Sequence, residues 1–323
     1  MDHFSTTPCV SVIMNCLNAG THLRESLQSL MAQTMQDFEI IFYDNASTDE
    51  SASIAQSFGE KVRYFRGEET VPLGMARNRA IREARGEFIA FLDCDDVWEK
   101  EKLARQVLCM RQDPQIGLVT CDTYFYDGKK TFGRLFEETK PARGYVFREL
   151  IERQWISMSS AMARRSALQS LHPGDAWQGP WFDESLNVCE EADVFYRIAH
   201  DWKLDYVDDC LSYWRIHGRN TTFTKYEAFA RETLLILEKH KKLYPDYEKD
   251  YPDLVSLLTQ RASFQKAVAL WSKGKGRQAR EEIASIRFHS LKYTLFWLCS
   301  FLPSSLFTLI AKLYFALPKK LRS

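Results

Sequence analysis

The chain is 323 residues long and carries 43 basic and 43 acidic side chains, for a formal net charge of zero. That balance argues against a nucleic-acid binder built on bulk positive charge. With 45% hydrophobic and 27% charged residues the composition excludes wholesale disorder, and the length suits one large α/β domain with an appendage. Eight cysteines, at 9, 16, 94, 109, 121, 189, 210 and 299, form no C-x-x-C pair and no zinc-spaced cluster with histidine, so reduced thiols are expected. The opening MDHFSTTPCV has no basic region leading into a long apolar stretch, which predicts a cytoplasmic protein without a secretory leader.

In chain order, the apolar run at 10–14 (VSVIM) reads as a buried strand, and Asn15, Asn18 and Gly20 as the turn after it. Leu23, Leu27, Leu30 and Met31 recur at helical spacing. Residues 38–43 (FEIIFY) read as a second strand. Ser47, Thr48, Asp49 and Glu50 have the S-x-x-E form of a capping box, predicting a helix to about Phe58. A third strand is expected at 61–65 and a helix at 75–84, closed by Gly86 as a C-cap. Residues 87–92 form a strand running into Asp93, Cys94, Asp95 and Asp96. A helix follows over about 98–112, with Asp96 as its N-cap, stopped by Pro114. Strands alternating with helices predict βαβ units and a mostly parallel sheet. Such sheets bind ligands beyond the carboxyl ends of their strands, where all three polar motifs fall.

From Gly117 to Thr222 the pattern is less regular: a strand-like GLVTCDTYFY, a Trp/Gly/Pro loop at 175–184, a helix near 190–202, and the strand-like LSYWRI. Residues 226–288 read as charged helices. Residues 293–311 hold no charge, but Pro303, Ser304 and Ser305 break the run. Lys292 flanks one end and Lys312, Lys319, Lys320 and Arg322 the other. Two short apolar helices lying in a membrane interface fit this better than a spanning helix. Three segments are expected: a catalytic domain over 1–222, a helical extension over 223–290 and a membrane-associating tail over 291–323.

The stretches VSVIMNCLN, SLMAQTMQDFEIIFYDNASTDES, GMARNRAIREARGEFIAFLDCDD, CEEADVFYRIA and YWRIHGRNTT, in that order, resemble family 2 glycosyltransferases with a GT-A fold. They cover residues 10 to about 222. The resemblance implies an α/β GT-A fold and an inverting transferase. It would move a sugar from a nucleoside-diphosphate donor to a glycan or lipid-linked acceptor, with Mn²⁺ or Mg²⁺. A nucleotidyltransferase making a nucleotide-sugar is the alternative, but NCLNAGTHLRES has a single glycine where such enzymes carry a Gly-rich loop. An inactive nucleotide-sugar-binding scaffold is the other, against which stand the acidic residues at 93, 95, 190 and 191.

In extended chain, residues two apart point the same way, so Asp93 and Asp95 can face one cation. The resemblance adds His217 as a third metal ligand or phosphate contact, and assigns Asp93, Asn15, Asp44, Asn45, Arg77 and Arg215 to the nucleotide-sugar. Asn45 stands where the family usually has Asp. Trp177 and Trp181 offer aromatic faces to an acceptor sugar. The pair Glu190 and Glu191 stands where the family usually has Glu-Asp and carries the catalytic base. Helical phase puts Val188, Ala192, Phe195, Ala199 and Trp202 on one apolar stripe, with Glu191 at its edge. It sends Glu190 to the opposite side with Asp193 and Arg197, facing water, so Glu191 is the expected base and Glu190 the alternate.

Overall fold

The computed structural model describes residues 7–137, 139–172, 179–217 and 225–306. The chain divides into two compact units, residues 1–218 and 219–323. The first carries nine strands in one sheet: β1 (Val10–Cys16), β2 (Phe38–Asp44), β3 (Val62–Arg66), β4 (Phe88–Phe91), β5 (Val97–Trp98), β6 (Ile116–Tyr126), β7 (Thr131–Arg134), β8 (Met162–Arg164) and β9 (Lys203–Arg215). Its helices are α1 (Gly20–Met31), α2 (Ser51–Gln56), α3 (Leu73–Arg82), α4 (Lys102–Gln112), α5 (Phe147–Glu152), α6 (Arg165–Ser170) and α7 (Glu190–Asp201). The strand order is β3-β2-β1-β4-β8-β6-β9-β5, with β7 added to β6.

The first four strands are parallel, as the alternation predicts. Beyond β4 the sheet is mixed, because the short β8 inserts antiparallel between β4 and β6. β1 and β2 are near-continuous apolar runs, buried along their length as parallel strands covered on both faces must be. Leu23, Leu27 and Leu30 of α1 and Leu103, Val107 and Met110 of α4 join them in one core.

Three local expectations are corrected. Ser47 does not cap α2; its hydroxyl accepts the Asn18 N–H (3.0 Å), while Asp49 takes the N–H groups of Ser51 (3.0 Å) and Gly20 (2.9 Å). Asp96 caps no helix, because Val97 and Trp98 form a strand on β9 and α4 opens only at Lys102. Gly86 is no C-cap either: α3 ends on Glu83, in right-handed conformation. Gly86 is instead a point of close approach, where an added Cβ would lie 2.5 Å from the Ser11 nitrogen and 2.8 Å from the Val10 carbonyl carbon.

The second unit holds α8 (Tyr226–Leu243), α9 (Tyr247–Asp250), α10 (Pro252–Ser272), α11 (Gly276–Glu282) and α12 (Leu291–Cys299). Trp271, Ala279, Ile283, Ile286 and Tyr293 form its core, with Phe264, Phe296 and Trp297 packed on it. The start of the expected tail is thus folded into this unit, and the Lys292 ammonium sits 4.5 Å from the centre of the Phe264 ring rather than flanking a free segment. Leu291, Leu298, Phe301, Leu302 and Leu306 are exposed. Residues 307–323 lie outside the described residues. No helix among those described is long and apolar enough to cross a membrane.

Gly86→Ala should lower the melting temperature by several degrees, in line with an overpacking cost of ~1–3 kcal/mol. Thermal denaturation of the variant checks this, and an unchanged midpoint would contradict the close approach.

Candidate active site

The parallel register of β1, β2 and β4 sets the ends of these strands at one edge: Cys16 lies opposite Asp44, and Ile13 opposite Phe91. Asp44, wholly buried, receives the Tyr64 hydroxyl (2.6 Å), Arg66 (2.7 Å) and the Ser47 N–H (2.7 Å). Burial opposes the ionised form, but the Tyr64 and Ser47 hydrogen bonds outweigh it and hold the carboxyl below its ordinary range. Asn45 closes its amide on the backbone of Val71, donating to the carbonyl (2.8 Å) and accepting the N–H (3.0 Å). Asn15, at the end of β1, keeps a buried amide nitrogen with no hydrogen-bond partner.

The Asp93 and Asp95 carboxylates are 45% and 34% exposed. Asp96 is buried between the Ser159 hydroxyl (2.5 Å) and the Arg215 N–H (2.9 Å). Burial, then the Asp95 and Asp93 charges, push the Asp96 carboxyl well above its ordinary range.

Arg77, on α3, is the centre of the site. Its guanidinium lies 2.8 Å from Glu190, 3.3 Å from Glu191 and 3.5 Å from Asp93, all three partners being carboxylates. The expected phosphate ligand is thus committed to side chains of this chain. Glu190 and Glu191 open α7, and both reach Arg77. The helical-phase expectation for Glu190 is overturned: Glu190, Asp193 and Arg197 are buried, not facing water. The polar side of α7 meets polar partners, since Arg197 binds Asp193 (2.8 Å) and the Trp181 carbonyl. Glu191 keeps a third of its side chain exposed, against 3% for Glu190. Burial pushes the Glu191 carboxyl up to about 7; Arg77 opposes this, while Glu190 and Asp93 add to it.

Arg215 does not project into open space. It binds the Asp95 carbonyl (2.8 Å), Glu25 (2.5 Å) and the Tyr126 hydroxyl. His217 faces Asp95 at 3.0 Å. Among the described residues no group of three His, Cys, Asp or Glu side chains is gathered to hold a metal ion. Trp181 is 1% exposed and anchors the core, so it has no face for an acceptor sugar. Trp177 lies outside the described residues. Asn78, which the resemblance sets beside Arg77 against the nucleotide, turns to the 181–184 loop: its amide takes the N–H groups of Trp181 (3.0 Å) and Phe182 (2.9 Å) and donates to Glu184 (3.0 Å). Sequence reading missed Ser159, which has no spacing signal.

This architecture, with acidic side chains gathered beyond parallel strands, is that of GT-A type glycosyltransferases. It resembles TarS of S. aureus with TM-score 0.62 at 20% identity, over 85% of this chain and 49% of TarS. The mannosyltransferase PcManGT of Pyrobaculum calidifontis, solved with GDP-Man and Mn²⁺, gives TM-score 0.58 at 18% identity over 92% of this chain and 85% of that one. The glycosyl transferase family 2 profile matches residues 11–171. EpsH of Bacillus subtilis, which carries the name of a glycosyltransferase, is 32% identical over 87% of this chain and 82% of its own length. The chain belongs to glycosyltransferase family 2.

Removing one partner of a buried ion pair costs ~3–5 kcal/mol, so Arg77→Met should be strongly destabilised. The sign with pH follows from Glu191. Its folded-state value of about 7 lies above that of an unfolded glutamate, so its ionisation costs stability as pH rises towards 7. Arg77 favours the ionised form of both Asp93 and Glu191, so without it these two ionise at greater cost. The loss of melting temperature relative to wild type should therefore be larger at pH 8 than at pH 5; an equal loss at both would rule out carboxylate repulsion as its source.

Proposed function

We propose that this glycosyltransferase takes a sugar from a nucleoside-diphosphate donor and passes it, with inversion, to an acceptor hydroxyl in the presence of Mn²⁺ or Mg²⁺. The observation that carries this reading is the convergence of Asp93, Glu190 and Glu191 on Arg77, with Asp95 beside them. The fold likeness to TarS holding UDP-GlcNAc, at TM-score 0.57, and to PcManGT supports a nucleotide-sugar donor.

The residues fit a hard cation. Mg²⁺ and Mn²⁺ are commonly held by one or two carboxylates together with substrate phosphates, so two partly exposed aspartates suffice without a third protein ligand. Asp93 and Asp95 hold the ion in this reading, and His217 steadies Asp95 and contacts a phosphate oxygen. When bound, the cation neutralises charge developing on the departing diphosphate. Glu191 is the base. Its exposed oxygen accepts the acceptor hydroxyl's proton as that oxygen bonds to the anomeric carbon and the bond to the diphosphate breaks. Glu190 holds Arg77, which orients Glu191 and Asp93. Asp44 and Asn45 shape the nucleoside site in this reading, with Asn15 at the neighbouring strand end.

The acceptor in this reading is a glycan or lipid-linked glycan at the cytoplasmic face of a membrane. Exposed Leu298, Phe301, Leu302 and Leu306 continue into the apolar, then basic, residues 307–323, a composition suited to an anionic lipid surface.

Asp95→Asn should abolish the Mn²⁺-dependent part of donor binding while leaving the fold intact. Glu191→Gln should keep donor affinity and lose transfer by about a hundredfold or more, the usual size of a general-base contribution; Glu190→Gln should lose less. Isothermal titration and product assays check both. Full activity in excess chelator would remove the cation, and a dead Glu190→Gln beside an active Glu191→Gln would move the base to the other carboxylate.

Deleting residues 307–323, rather than all of 292–323, spares the packing of Tyr293 and Trp297. The truncated chain should lose binding to anionic vesicles and retain donor hydrolysis. Vesicle flotation checks this, and undiminished flotation would place the lipid contact elsewhere.

A further inference from the structure

We infer that Ser159 is a positioning residue for transfer: its hydroxyl sets the turn at 93–96 so that the Asp93 and Asp95 carboxylates face one cation. The inference rests on the cation reading above. Ser159 sits in the 3-10 turn Met158–Ser160, more than sixty residues from the acidic turn, and is 1% exposed. Its hydroxyl oxygen accepts the Asp93 N–H at 3.1 Å and its proton goes to Asp96 at 2.5 Å. A hydroxyl has one donor and two lone pairs, so both bonds coexist. The Ser159 carbonyl accepts the Trp98 indole N–H at 2.7 Å, which fixes the serine from the far side.

The rest of the turn is held in the same inward manner. The other Asp96 oxygen accepts the Arg215 N–H (2.9 Å), and the Asp95 carbonyl accepts the Arg215 side chain (2.8 Å). The backbone is thus tied at 93 and 95, and both oxygens of Asp96 are engaged. What the turn presents outward is the pair of carboxylates at 93 and 95. Loss of the Ser159 hydroxyl strips Asp93 N–H of its acceptor and one buried Asp96 oxygen of its donor. The ties to Arg215 remain at 95 and 96, but the turn loses its anchor at 93, and the Asp93 carboxylate no longer keeps a fixed direction relative to that of Asp95. Groups that orient metal-binding side chains in this way are commonly worth 10–100-fold in metal affinity.

The test is titration of UDP and of GDP, each with and without Mn²⁺, into wild type and the variants Ser159→Ala, Ser159→Thr and Ser160→Ala. Ser160 is the control: its hydroxyl donates to the Ser157 carbonyl and meets Thr120, each at 2.7 Å, and both contacts lie away from the acidic turn. In Ser159→Ala the gain in diphosphate affinity on adding Mn²⁺ should fall by about tenfold or more, with metal-free binding little changed. Ser159→Thr should restore the gain, and Ser160→Ala should keep it whatever its melting temperature. Ser159→Cys, nearly isosteric, replaces the alanine variant if that fails to fold. A full Mn²⁺-dependent gain in Ser159→Ala, or an equal loss in Ser160→Ala, overturns the inference. Wild type showing no gain with either diphosphate removes the cation reading, and the inference with it.

Discussion

A single buried guanidinium joins the parts of this active site. Arg77 is fixed by α3, and its partners come from the end of β4 and from the first turn of α7, more than a hundred residues away. Taking a guanidinium out of water is costly, and only well-placed partners repay it. Here the partners are three carboxylates, with the Phe182 ring 5.4 Å from the guanidinium carbon. The arrangement therefore does more than neutralise Arg77. It gathers negative charge in excess at one edge of the sheet and fixes how far apart the acidic groups stand.

The same logic separates the groups that build the site from those that can meet a substrate. Asp44 is saturated by Tyr64, Arg66 and Ser47, and Asn45 has turned its amide onto Val71. Arg215 ties β9 to the acidic turn and to Glu25. A buried polar group must be satisfied, and these satisfy one another. The side chains of Asp93, Asp95 and Glu191 are what this leaves partly exposed at the edge. Of the six residues that resemblance assigns to the nucleotide, Asp44, Asn45 and Arg215 thus hold backbone of this chain, and Arg77 holds its carboxylates.

Much of this was legible in the residue order. Alternation of apolar runs with helical periods located β1 to β4, and the polar residues after each run marked the edge where the site forms. Three things escaped it. The short strand at 97–98 exists only because β9 pairs with it, a contact across more than a hundred residues, and that pairing takes Asp96 away from any helix start. Ser159 carries no period or motif, and only the fold brings it under the acidic turn. The phase of α7 misleads because a polar helical face need not be wet. Asp193, Arg197 and Glu190 are buried: Arg197 meets the Trp181 carbonyl as well as Asp193, and Glu190 meets Arg77, so α7 is covered on its polar side as well as its apolar one.

The surplus of carboxylates links the two roles proposed for the site. One guanidinium stands against Asp93, Glu190 and Glu191, and the excess charge must be met by a proton or by a cation. Burial, with Glu190 and Asp93 alongside, pushes the Glu191 carboxyl up to about 7 despite Arg77, so that Glu191 shares that proton with solvent near neutral pH. A cation held by Asp93 and Asp95 would supply the same compensation and release the proton, because an added positive charge favours the ionised carboxylate. Coupling of this kind is reciprocal: whatever lowers the Glu191 value when the cation arrives strengthens cation binding once Glu191 is ionised. Glu191 would then be more fully ionised, and so a better base, when donor and cation are both in place than when they are not. Glu191 suits that coupling, since it touches Arg77 while a third of its side chain stays exposed.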